Sequence, residues 1–116
     1  MKKLLLVSSF VAVSAFSATP VQAADSLALR ICEYVEANDK SRLRSFLKQN
    51  KLRIKSIFND INCNGDNLIV FAAKNSALEV GEFIIGKTPA KMVEASMADI
   101  EKYSAHLAED AKERIN

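Results

Sequence analysis

Past the first two dozen residues, apolar positions recur along the chain at intervals of three and four. Ala28, Ile31, Cys32 and Val35 fall at i, i+3, i+4 and i+7, one face of a helix that Asp25 or Ser26 can cap. Ala37-Asn38-Asp39 breaks this pattern and supplies a new cap, after which Leu43, Phe46 and Leu47 mark the inward side of a second helix. Ile54, Ile57, Phe58 and Ile61 repeat the spacing, with the alternation of Leu52 and Ile54 leaving a short strand as the weaker alternative. Asn62-Cys63-Asn64-Gly65 reads as a tight turn, with Gly65 free to take positive φ. Asp66 or Asn67 then caps a helix through Ile69, Ala72 and Ala73, and Asn75-Ser76 ends it. Residues 78–85 form the next helix, with Val80, Phe83 and Ile84 inward. Thr88-Pro89 pairs a cap with proline at a first helical position. Val93, Met97, Ile100, Leu107 and Ala111 carry one stripe to the end in a final helix, expected to fray beyond about Tyr103.

These elements predict an all-α protein, a small bundle of short helical hairpins with a C-terminal helix. An offset of 37 places Ile31 on Leu68, Asn38 on Asn75, Leu43 on Val80, Phe46 on Phe83 and Leu47 on Ile84, so helix, Asn-containing turn and helix occur twice. The second copy resembles an ankyrin repeat. Gly65-Asp66-Asn67 stands where that family has Gly-x-Thr, and Ala72-Ala73-Lys74-Asn75 matches its Ala-rich helix end. Leu68-Ile69-Val70 departs from its Pro-Leu-His signature, and Ser76 stands at its turn glycine.

The first residues carry a different pattern. Met1-Lys2-Lys3 is positive, residues 4–18 are apolar and uncharged, and Val21-Gln22-Ala23 places small residues where a signal peptidase reads. The expectation is a signal peptide over residues 1–23 and a single domain over 24–116. The apolar run is shorter than the ~20 residues that span a bilayer, so no transmembrane segment is expected after cleavage. Loss of Lys2 and Lys3 brings the 16 basic residues level with the 14 acidic ones, which removes any global attraction to polyanions. Export also decides how Cys32 and Cys63 read. They are the only two cysteines, and in an oxidising compartment such a pair forms one disulfide.

Charge is unevenly placed. Residues 40–55 hold seven basic residues and no acid, whereas residues 79–116 hold eight acids against five bases. On one continuous helix Lys40, Arg44, Lys48, Lys51 and Lys55 would form a band within about 80°. This band is the candidate face for a partner or an anion. The competing expectation is a solvated surface, or one cancelled by the acidic C-terminal helix, with no strong binding of polyanions. Nucleic acid is not expected, because the only aromatic residue within the run, Phe46, is at a core position.

Other chemistry is sparse. Asp60, Asn62, Asn64 and Gly65 copy the first half of a calcium loop, but Leu68 and Phe71 stand at its ninth and twelfth positions, so no metal is expected there. His106 is the only histidine and falls on the exposed side of the last helix, which leaves zinc without a ligand set. No nucleophile elbow or phosphate loop is present, and no cofactor is expected.

Ile31-Cys32, Asn38-Asp39-Lys40, Arg42-Leu43-Arg44, Cys63-Asn64-Gly65, Leu68 and Phe71-Ala72 are similar to a family of small exported gammaproteobacterial proteins known as a domain of unknown function. The resemblance covers residues 27–92 and implies a Gram-negative periplasmic or secreted address, with no catalytic residues. The chain therefore reads first as a non-enzymatic interaction module for an unknown envelope protein. The alternative is an anion binder, for lipopolysaccharide or another polyanion, acting through residues 40–55, and the last is a small hydrolase with an unrecognised site.

Overall fold

The computed structural model describes residues 20–116, with side chains from Ser26 onward. Residues 1–19, most of the expected signal peptide, lie outside the described residues. The described residues form eight α-helices and no strand: α1 Pro20–Glu36, α2 Lys40–Gln49, α3 Ile54–Ile57, α4 Leu68–Lys74, α5 Leu78–Lys87, α6 Ala90–Ala95, α7 Met97–Tyr103 and α8 Ala105–Ile115. None of these helices is long and apolar enough to cross a membrane.

Two hairpins, α1–α2 and α4–α5, stack with corresponding helices together, α1 on α4 and α2 on α5. Ile31 and Val35 of α1, Leu43 and Leu47 of α2, Leu68 and Ile69 of α4, and Val80 and Ile84 of α5 fill the space between them. Each such side chain contributes about 1.5–3 kcal/mol by leaving water. Tyr34 and Phe46 meet edge-on across the first hairpin, their ring centroids 5.6 Å apart. The α8 helix closes the other side of α5 and also covers α6 and α7.

Three helix ends share one turn. Asn38, Lys51 and Ser76 take φ of 55°, 56° and 55°. The following amide reaches back five residues in each: Asp39 N to Tyr34 O, Leu52 N to Leu47 O, and Ala77 N to Ala72 O. This is the left-handed helix stop that glycine usually provides, built here on residues with side chains. Asn50 and Asn75 each precede the left-handed residue and donate from Nδ2 to Phe46 O and Phe71 O. The turn at Lys51 divides the basic run, so residues 40–55 are not one helix, and residues 50–53 are an irregular link rather than a strand.

Cys32 and Cys63 form the expected disulfide, with Cα atoms 5.7 Å apart. The bridge ties α1 to the turn before α4, and closing a loop of that length stabilises by about 3.5–4 kcal/mol in the chain-entropy model. Of the partial calcium loop, Gly65 shapes the turn that leads into α4. Cys63 and Asp66 exchange backbone hydrogen bonds, with Gly65 at φ +87° between them. Asp66 pairs with Lys74 at 2.9 Å. Asn67 caps α4, its Oδ1 accepting from Val70 N at 2.9 Å.

Four expectations need correction. Asp25 and Ser26 do not cap α1, because the helix begins at Pro20 and includes both. Phe83 is half-buried rather than in the core, because α5 turns Val80, Ile84 and Ile85 inward and leaves Phe83 at the edge facing α2. Thr88 does not cap α6; it is fully buried, and its hydroxyl donates back to Ile84 O at 2.7 Å. The final helix is three helices, and the residues after Tyr103 are packed rather than frayed. Ser104 caps α8 by accepting from Leu107 N, and Leu107, Ala108 and Ala111 are buried.

Candidate functional site

Breaking the basic run at Asn50 folds it around a groove. The α2 helix forms one wall with Ser41, Arg44, Ser45 and Lys48, the link and α3 form the second with Arg53 and Lys55, and α5 adds Phe83 and Lys87. Leu47, Leu52, Ile54 and Phe83 supply apolar surface. The volume is about 790 Å³, within the range of small-ligand sites.

Local structure explains how the cations converge. Asp39 caps α2 by accepting from Arg42 N at 3.1 Å and pairs with the Arg42 side chain, which draws Arg42 off the groove. Arg44 lies over the Phe83 ring, with Cζ 5.9 Å from its centroid. That contact contributes about 0.5–1 kcal/mol at an exposed site and holds the guanidinium against the wall. The left-handed turn at Lys51 reverses the chain, so that Arg53 and Lys55 return toward Arg44 and Lys48. Lys87 arrives from the last turn of α5, placed by the stacking of α5 on α2.

Three of the five residues expected to form the basic band, Arg44, Lys48 and Lys55, line the groove. The other two do not. Lys40 opens α2, and Lys51 is an exposed residue at the left-handed turn. Arg53 and Lys87 take their places. Arg53 falls in the same run but off the assumed stripe. Lys87 is far away in sequence, and the only signal for it is the repeat that lays Leu43 and Leu47 of α2 on Val80 and Ile84 of α5.

The lining contains no acid, and none of Arg44, Lys48, Arg53, Lys55 and Lys87 forms an ion pair among the described residues. The expected cancellation by the acidic C-terminal helix is not found there, since α8 packs against α5, α6 and α7 and uses its charges locally. Lys112 lies 3.7 Å from Glu101 and 3.7 Å from Glu109. His106 bonds Glu82 of α5, and Asp110 lies 3.6 Å from the same imidazole nitrogen. The bond to Glu82 raises the His106 pKa above its ordinary value, and the charge of Asp110 adds to it.

No curated protein and no solved structure matches the chain. A family model described as a protein of unknown function, DUF3718, matches residues 31–96, which run from the last part of α1 through α6 and include the disulfide and every residue of the groove. The match covers more than half of the sequence, and the chain belongs to that family.

Proposed function

We propose that this chain is an exported, non-enzymatic binding module of the cell envelope, and that its ligand is an amphiphilic anion held in the groove between α2, α3 and α5. The observation that carries this reading is the lining: five cations around apolar side chains, with no acid among them. Like charges brought together without counter-charges raise the local potential and favour an anion. The guanidinium of Arg44 and the ammonium groups suit phosphate or carboxylate oxygens. Ser41 and Ser45 add hydroxyl donors at the same wall. Leu47, Leu52, Ile54 and Phe83 supply contact surface that a bare polyanion would leave unused. A lipid phosphate, including the phosphate groups of lipopolysaccharide, combines the two chemistries.

The test is calorimetric titration of the purified chain with dodecyl phosphate below its micelle concentration, beside inorganic phosphate and double-stranded DNA at ~150 mM salt. The amphiphile is expected to bind saturably and at least ten times more tightly than inorganic phosphate. DNA is expected to bind no tighter than about 10 µM, weaker than specific recognition. Equal affinity for the two phosphates, or absence of saturation, would refute the reading.

A further inference from the structure

We propose a divalent transition-metal site, with zinc as the best-suited ion, formed by Glu82 of α5 and by His106 and Asp110 of α8. None of these three residues lines the anion groove. Their candidate ligand atoms all lie within 4.8 Å of one another. His106 and Asp110 are four apart on α8 and so share a helix face, where a single ion can be chelated by both.

The third ligand is brought in by a close contact between α5 and α8. Gly81 faces Leu107 so closely that a Cβ at Gly81 would lie 2.6 Å from a Leu107 methyl carbon. Residues 81 and 107 therefore fix the separation and register of α5 and α8, and their neighbours Glu82 and His106 meet as a consequence. The ligand positions belong to rigid, packed helices rather than to loops.

A second observation concerns the Asp110 carboxylate. Asp110 Oδ2 is shielded from solvent and has no partner at full hydrogen-bond geometry among the described residues, while burial and the neighbouring Glu82 carboxylate raise the Asp110 pKa. A buried carboxylate oxygen in this condition is costly. It lies 3.6 Å from His106 Nε2, too far for a hydrogen bond but close to the separation of two ligands on one tetrahedral ion with bonds of about 2.0–2.1 Å. An ion at the centre would satisfy Oδ2 and exchange the bond between His106 and Glu82 for two coordinate bonds. One imidazole nitrogen and two carboxylate oxygens form a borderline-to-hard donor set, suited to Zn²⁺ and its first-row neighbours more than to Ca²⁺, which takes six to eight oxygens. The side chains are 52%, 49% and 30% exposed for His106, Glu82 and Asp110, so coordination positions remain open to water.

The experiment is titration of the tag-free, metal-stripped chain with ZnCl₂ and, separately, CaCl₂, followed by calorimetry and by the His106 ring signals in NMR. One equivalent of zinc is expected to bind and to shift those signals, with calcium at least tenfold weaker. His106→Gln and Asp110→Asn should each weaken zinc at least tenfold while leaving the circular-dichroism spectrum unchanged. Arg44→Glu/Lys48→Glu should leave zinc binding unaltered, which separates this site from the groove. Zinc binding that survives His106→Gln, calcium binding as strong as zinc, or no saturation below millimolar zinc would each overturn the assignment.

Discussion

Asn38 Oδ1 accepts a hydrogen bond from Val80 N at 3.0 Å, across 42 residues of sequence. Val80 is the third residue of α5, whose own N-cap position holds Ala77 and offers no side-chain acceptor. The turn of the first hairpin thus caps the second helix of the other. Asn38→Gly keeps the left-handed backbone and removes only the cap, so it should cost about 1–2 kcal/mol in urea unfolding. Asn38→Ala adds left-handed strain of about 1 kcal/mol and should cost more than the glycine variant. Equal effects of the two would contradict the turn geometry.

Ser76 occupies the same left-handed stop without a side-chain role in the turn. Ser76→Gly should therefore stabilise the protein by about 0.5–1 kcal/mol, visible as a higher urea midpoint at unchanged slope. A destabilised variant would mean that the serine hydroxyl makes a contribution the fold does not reveal.

Gly81 is required by contact rather than by backbone conformation. Gly81→Ala gains up to about 1 kcal/mol of helix propensity but forces a Cβ against the fully buried Leu107. Overpacking of this kind costs about 1–3 kcal/mol, so the variant should be less stable than the parent. In a Leu107→Ala background the conflict is gone, and Gly81→Ala should become neutral or stabilising. Additive effects across this cycle would exclude the contact.

The His106 imidazole should titrate above its ordinary value of 6.5 in the metal-free protein, first because of its hydrogen bond to Glu82 and then because of the charges of Asp110 and Glu82. Since the folded value is the higher one, this pairing adds stability fully below pH ~6.5, and the gain fades as pH rises through the folded pKa. Asp110 acts at lower pH. Burial first, and then the charge of Glu82, raise its pKa above 3.8, so it costs stability once ionised and relieves that cost on acidification. An NMR titration of His106 with a chelator present should show the raised value, and Glu82→Gln should lower it. No downward change would rule out Glu82 as the cause.

The four hairpin helices and the disulfide were legible because each has a local signal: apolar spacing, an Asn-containing turn, and two cysteines. The division of residues 88–116 was not. Val93, Met97, Ile100, Leu107 and Ala111 keep a helical register throughout, and no glycine or proline interrupts them. The breaks fall at Ser96, which is buried and held by Asn67 Nδ2 and Met92 O, and at Ser104, which caps α8. A straight helix of that length would extend about 40 Å, beyond what this small core can cover, so tertiary packing decides where it bends. The groove was half legible for a similar reason. The charge run named Arg44, Lys48 and Lys55, but a helical stripe was the wrong geometry once Lys51 turned the chain, and Lys87 joins only through the stacking of α5 on α2.

The central claim is that the folded groove, rather than the basic segment as such, receives the anion. Two double reversals of equal charge separate these readings: Arg44→Glu/Lys48→Glu inside the groove, and Lys40→Glu/Lys51→Glu in the same segment but outside it. Dodecyl phosphate affinity should fall at least about tenfold in the first variant and by less than about threefold in the second. In the parent chain, affinity should also weaken as salt rises from ~50 to ~300 mM. Equal losses in the two variants, or a parent affinity indifferent to both, would contradict the account.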